Sequence, residues 1–312
     1  MRNWRPALIA AAVGGIILLT GYLIERTPDE GVTPSTNADS SSEAVLACPA
    51  TLRPACNALA AELGTTVRSF QAGRDPGPGT VVIAPAADLP ANLEIGEVAA
   101  RSPIAIAVWQ DREGVLKTHC GGTVHLTCLS FAYGEAWRDL GGLESWGSLK
   151  LGLADPTVSE AGLAAWQAVA GSAVPPGLGV GLRLISEDDA GLMADLLLFG
   201  TARADVVVTT EVAIAGQLEN APGRGGRLVV WYPDPAPWVT YVVGTSGGKG
   251  TDDLMAGILS GNLQSRLGAL GLRPARGEAT ELPEALGVPG VALPAPDESE
   301  RAALLDAWNG LR

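Results

Sequence analysis

Clusters of basic residues are missing from this chain, and histidine nearly so. Against 34 Asp and Glu stand 21 Lys and Arg, a net charge of −13. No run of Lys or Arg is present that could neutralise a phosphate backbone, which excludes a nucleic-acid partner. Both His, 2 in all, fall in the segment His119–Cys128 (HCGGTVHLTC). Elsewhere there is no imidazole to activate a Ser or Cys nucleophile, and no Gly-x-Ser-x-Gly occurs, so no catalytic residue is assigned. No cofactor motif is read either: Gly244–Gly250 (GTSGGKG) lacks the first Gly of a phosphate loop at the required spacing and has Gly250 in place of Ser or Thr after Lys249, which leaves a flexible turn. Charged residues are only 18% of the chain, below the roughly 25% of an ordinary soluble domain. What is plentiful is apolar material, 47%, together with 40 Gly and 22 Pro. That excludes a disordered chain and promises a sizeable core with many loops between short elements.

Residues 7–24 (ALIAAAVGGIILLTGYLI) carry no charge. As a helix they cover about 27 Å, close to the thickness of a bilayer's hydrocarbon layer. Arg2 and Arg5 precede the run, and Glu25, Asp29 and Glu30 follow it with only Arg26. The asymmetry places residues 1–6 in the cytoplasm and the rest outside, in a single-pass protein of the cell membrane. A cleaved signal peptide is the rival reading, but no pair of small residues three apart follows the run. Residues 25–43 contain almost nothing to bury and read as a flexible linker. Val45–Cys48 looks like a lipoprotein box, yet that chemistry requires the apolar run to lead directly into the Cys, and a polar tether intervenes.

The 4 Cys fall into two equally spaced pairs, Cys48 with Cys56 and Cys120 with Cys128. Outside the cell such pairs oxidise, each closing a short loop. The alternative for the second pair is a zinc ion held with His119 and His125. The flanking residues, around Gly121 and Gly122, read as two hairpin strands, so the disulfide is preferred and no metal is assigned.

From about residue 44 the chain alternates two patterns. Unbroken apolar runs at 81–84 and 104–109 read as strands covered on both faces, and 45–47, 149–154, 204–209 and 227–232 as further strands. Helical spacing appears over 52–63, 161–169, 190–199 and 252–270, with Thr157 and Ser159 placed to cap the second of these. The alternation predicts an α/β fold with a mainly parallel sheet, whose ligands meet the loops at strand C-terminal ends. Trp109, Trp146, Trp166 and Trp231 read as packing residues.

Several stretches in order carry a resemblance: Ala100–Val108 (ARSPIAIAV), Ser145–Leu149 (SWGSL), Ala154–Leu163 (ADPTVSEAGL), Gly200–Thr209 (GTARADVVVT), Val230–Pro233 (VWYP) and Leu259–Ser265 (LSGNLQS) leading to Arg273. Together they are similar to type 2 extracellular solute-binding proteins, nearest the molybdate-binding-like branch and the substrate-binding half of bacterial proteins that also carry a von Willebrand factor A domain. The resemblance implies a two-lobed periplasmic-binding-protein-like fold with two crossover strands, preceded here by one transmembrane helix. Mapped onto the sequence, the body is residues 44–312, with lobe 1 at 44–103 and 232–312 and lobe 2 at 104–231. It also implies a ligand held by hydroxyls and backbone N–H groups at helix N-termini. The matching positions are Thr51, Ala86, Thr157, Ser159, Ala161 and Ser186. Ser102 at the first crossing, and Glu187 and Glu211 near strand ends, complete the candidates.

The sequence departs from the oxyanion binders at Glu187, Asp188 and Asp189, which follow Ser186 and would repel a dianion. A cationic, zwitterionic or neutral solute fits better. The expected partners are therefore a small molecule or ion, and an ABC-type permease or a surface protein. The alternative is a non-transport surface module that keeps the fold without a solute. A polar concave cleft would favour the first, and a cleft plugged by apolar side chains the second.

Overall fold

The computed structural model describes residues 44–171, 174–220, 228–275, 282–283 and 286–311. The expected membrane segment 7–24 and linker 25–43 lie outside them. Among the described residues no helix is long and apolar enough to cross a membrane.

In chain order the first elements are β1 (Val45–Cys48), a 3-10 turn (Ala50–Leu52), α1 (Arg53–Leu63), β2 (Val67–Ser69), β3 (Thr80–Pro85) and β4 (Glu94–Trp109). There follow α2 (Gln110–His119), α3 (Leu126–Ala132), β5 (Leu151–Ala154), α4 (Glu160–Ala170), α5 (Leu178–Gly181), β6 (Leu182–Ser186), α6 (Asp189–Phe199), β7 (Val206–Thr210), α7 (Glu211–Asn220) and β8 (Leu228–Trp231). The chain ends with β9 (Ala236–Thr245), α8 (Thr251–Ile258), α9 (Gly261–Arg266), β10 (Arg273–Pro274), β11 (Ala292–Leu293) and α10 (Glu298–Asn309).

The strands form two sheets that share β4. In the first the order is β2-β1-β3-β9-β4. Here β1 runs parallel to β2 and β3, and β9 runs antiparallel to both β3 and the first part of β4 (Ile83↔Val243, Ser102↔Val239). In the second the order is β6-β5-β7-β4-β8. Again β5 runs parallel to β6 and β7, and the later part of β4 runs antiparallel to β7 and β8 (Ile106↔Val208, Ile106↔Trp231). One pattern is thus used twice, and each sheet takes into its interior an antiparallel strand that is continuous with, or follows directly from, a strand of the other. The backbone passes between the sheets along β4 and again from β8 to β9. The sheet is mixed, not mainly parallel as expected, because these crossing strands run against their neighbours.

Residues 104–109 show why the second sheet is covered on both faces. Ile104, Ile106 and Val108 enter the large core that joins the sheets, while Ala105, Ala107 and Trp109 pack with Leu192, Met193 and Ile214 of α6 and α7 on the opposite face. Alternating side chains of one strand therefore serve two cores, which requires an unbroken apolar run.

Asp205 anchors the second sheet from within. Fully buried, it accepts from Arg112 Nε at 3.2 Å, from Trp137 Nε1 at 3.3 Å and from the Lys150 backbone N–H at 2.9 Å. Arg112 also lies over the Trp146 ring, 3.6 Å from its centroid, so Trp146 is a packing residue as expected. The charge is matched by two cations, since Lys150 Nζ stands 3.4 Å from the same carboxylate. The last helix, α10, lies against α4: the Trp166 and Trp308 rings meet edge-on at 5.2 Å, Trp166 Nε1 donates to Leu304 O at 2.7 Å, and Arg301 pairs with Glu160 at 2.7 Å.

The four cysteines form the disulfides Cys48–Cys56 and Cys120–Cys128. The first fastens the end of β1 to α1. The second does not close a β-hairpin: it joins the C-terminal end of α2 to α3, with Gly121 and Gly122 at positive φ in the turn. Leu116 and Leu129, which read as strand residues, are buried from the two helices. His125 caps α3, its Nδ1 accepting from Cys128 N at 3.2 Å. The helical stretch expected over 252–270 is broken at Leu259–Ser260 into α8 and α9 with a 3-10 turn after them.

Candidate functional site

A cavity of about 780 Å³ opens between the two sheets. Its walls are the segments that follow strands: Pro49–Thr51 after β1, Phe70 to Arg74 after β2, Pro85 and Asp88 after β3, Asp155 to Ala161 after β5, and Glu187 and Asp188 after β6. Tyr241 of β9 completes it. Loops at the C-terminal ends of parallel strands converge because every right-handed crossover delivers its helix N-terminus to the same edge.

The helices of the second half meet this cavity with their ends already capped. Ser159 Oγ accepts from Gly162 N at 3.1 Å at the start of α4, and Asp188 Oδ1 accepts from Gly191 N at 2.7 Å at the start of α6. Asp155 Oδ1 accepts both the backbone N–H of Thr157 at 2.9 Å and its hydroxyl at 2.7 Å. Gly162 makes the first arrangement fit, because a Cβ there would stand 2.8 Å from Ala154 O and 2.9 Å from Asp155 O. An oxyanion drawn to these N–H groups would displace the protein's own carboxylates. The charged residues lining the cavity are Asp88, Asp155, Glu187 and Asp188 against Arg74.

Two carboxyl groups along the seam are held above the ordinary range. Asp88 is raised to about 6, by burial and then by the charge of Glu160, with Arg301 opposing and Asp189 adding. Asp189, the first residue of α6 and 1% exposed, is also raised to about 6 by burial. Its Oδ2 accepts from Thr210 Oγ1 at 2.6 Å, while Oδ1 is buried without a partner. Burial raises the Tyr241 phenol, and Asp189 raises it further. A neutral, protonated carboxyl is the form a dry seam favours.

Of the residues singled out from sequence, Thr51, Ser159, Ala161 and Glu187 line the cavity. Ala86 is exposed beside two lining residues, Pro85 and Asp88. Thr157 is exposed and turned onto Asp155, which takes its place in the wall. Ser186 is half-buried, and its carbonyl accepts from Asp155 N at 2.8 Å. Ser102 and Glu211 are elsewhere. Ser102 Oγ accepts from Val212 N at 3.0 Å and so caps α7. Glu211 is neither a cleft residue nor a solvated strand end: it is the fully buried first residue of α7. It is held by Arg273 through bonds of 2.9 and 2.7 Å and by the Tyr232 hydroxyl at 2.5 Å. Phe70, Gln71, Arg74, Asp88, Asp155, Asp188 and Tyr241 were not among the candidates. Only the three Asp carried a readable signal, as carboxylates within a few residues of an apolar run.

No protein-family model matches the sequence, and no curated protein matches it. Solved structures do. A two-component system protein that mediates signal transduction aligns with a TM-score of 0.56 at 12% identity, over 85% of this chain and 99% of that one. The chain shares the fold of that protein. At lower scores the similar structures include a Bordetella ferric binding protein, TM-score 0.48 at 17% identity over 86% and 98% of the two chains. They also include a substrate-binding domain assigned to a molybdenum ABC transporter of Clostridium difficile, 0.48 at 12% over 75% and 99%. At such identities the likeness is one of architecture, and the chemistry of the site has to be read from this chain's own residues.

Proposed function

We propose that this chain is a solute-binding protein whose two lobes, 44–103 with 232–312 and 104–231, close over the acidic cavity on a small ligand that carries positive charge. Helix α10, late in sequence, would move with the second lobe through Trp166 and Glu160. The observation that carries the reading is the pairing of Asp155 and Asp188 with the N–H groups an anionic ligand would need. With those donors engaged and Asp88 and Glu187 beside them, a cation gains Coulomb energy in a partly desolvated space and a molybdate-like dianion loses it. Residues 7–24 would hold the protein in the cell membrane with the binding body outside, where an ABC-type permease is the natural recipient of the solute. The polar lining supports this reading over a surface module without a solute, since the space is not plugged by apolar side chains.

Thermal-shift measurements test it. Lysine, arginine and diamines should raise the melting temperature, and molybdate, sulfate and phosphate should not. A ligand at 100 times its Kd stabilises by about 2.7 kcal/mol. Asp188→Asn should abolish the shift given by cations. A protein stabilised by molybdate alone, or shifts unaltered by Asp188→Asn, would overturn the proposal, and silence from every compound would move the reading to the surface module.

A further inference from the structure

Beside the acidic cavity lies a second depression of about 290 Å³, and the two share Ala50 and Thr51 as a common wall. Its chemistry is the reverse of its neighbour's. The side chains lining it include Arg53 and Asn57 of α1 and Gln217 of α7, and no carboxylate. The main cavity sets four carboxylates against one Arg. Charge thus changes sign across one short turn.

Arg53 sits at this boundary. It donates through Nη2 to Ser69 Oγ, and Ser69 belongs to the wall of the acidic cavity. The Nε of the same guanidinium is buried with no hydrogen-bond partner. A guanidinium presents its N–H groups as a planar fork suited to a carboxylate, and a buried donor left unmatched costs free energy that a ligand acceptor would recover. At the start of α1 no carboxylate competes for a ligand: the N-cap residue is Leu52, the N–H groups of Leu52 and Arg53 are taken by Pro49 O and Ala50 O, and Pro54 has none, whereas α6 is capped by the carboxylate of Asp188. Asn57 and Gln217 add amide N–H groups to the lining.

We infer that this side pocket takes the anionic end of the ligand, so that the solute is an amino-carboxylate laid across the Ala50–Thr51 turn, with its ammonium group at Asp155 and Asp188 and its carboxylate at Arg53. The inference rests on the cationic reading above and narrows it from cations in general to compounds that carry both groups.

Calorimetric titration of the full-length protein with three probes of similar length separates the two readings: 5-aminopentanoate, 1,4-diaminobutane and glutarate. The expected order is 5-aminopentanoate tightest, diaminobutane weaker and glutarate without measurable binding. Arg53→Gln should weaken 5-aminopentanoate at least tenfold and leave diaminobutane within twofold, while Asp188→Asn weakens both. Asn57→Ala, an exposed position on α1, should weaken 5-aminopentanoate severalfold and serves if Arg53→Gln folds poorly. Diaminobutane binding as tightly as 5-aminopentanoate, or an equal response of both to Arg53→Gln, overturns the side pocket and leaves the cationic cavity standing. Failure of both amines to bind overturns the two readings together.

Discussion

The two sheets are laid out on one strand order, yet they present different chemistry to the space between them. In the second half the loops after β5 and β6 bring Asp155, Glu187 and Asp188 to the cavity, and α4 and α6 begin with their own caps. In the first half α1 begins without a side-chain cap and is fastened by the Cys48–Cys56 disulfide, and the arginines near the cavity, Arg53 and Arg74, come from that half. The repeated part is the strand arrangement, fixed by burial on two faces. The variable part is the few residues between each strand and its helix, which no core constrains. A pocket with a sign change follows from joining two such halves.

Three measurements would sharpen or break that contrast. The largest effect is expected at the internal anchor of the second half. Asp205→Ala leaves the buried Arg112 with only the exposed Asp111, 2.6 Å away, and should lower the unfolding free energy by about 3–5 kcal/mol in a urea titration. A loss below about 1 kcal/mol would show that Trp146 and Asp111 hold Arg112 unaided. In the first half the corresponding fastening is covalent. Replacing Cys48 and Cys56 together by Ser should cost about 2–3 kcal/mol by the same titration, and an unchanged midpoint would mean that β1 and α1 are held by packing alone.

The smallest effect is at the seam. Asp189 has its pKa raised from 3.8 to about 6 in the folded protein, so the folded state binds the proton more tightly than the unfolded chain. Its contribution to stability is complete below about pH 4 and is lost as the pH rises through 6. Stability of the wild type should therefore fall over that interval relative to Asp189→Asn, the fall that Asp88 contributes being common to both proteins. Parallel pH profiles for wild type and variant would refute the assignment.

How far the sequence alone reveals this arrangement differs between the halves for a physical reason. β3, β5 and β7 are mostly apolar and wholly buried, and the stretches at 81–84, 149–154 and 204–209 point to them directly. Ser159 caps α4 as its spacing implies, whereas α6 is capped by Asp188 two residues beyond Ser186. Strand β9, interior to the first sheet, was not expected: Pro233, Pro235 and Pro237 precede its apolar part, and the partners it needs lie about 140 residues earlier in β4 and about 160 earlier in β3. Tyr241 went unseen with it. β2 is only Val67–Ser69, too short to show alternation, so Phe70 to Arg74 had no strand to follow. Ser102 and Glu211 misled for the opposite reason. A polar side chain in an apolar run looks available, but one is satisfied by the Val212 N–H and the other by Arg273, pairings that local sequence does not disclose. The segment 119–128 erred through its glycines, which turn a helix pair as readily as a hairpin.

The position of β9 also governs when each sheet can be finished as the chain emerges. The second sheet has all its strands once residue 231 has been made, whereas the first waits for β9, ending at residue 245, and for the short β10 at 273–274, although β1 to β3 appeared at the outset. The earliest strands are thus the last to gain a closed neighbourhood, and until then β3 offers an unsatisfied, largely apolar edge to other chains. A polypeptide wired this way is best kept from other unfolded chains until its far end has been made.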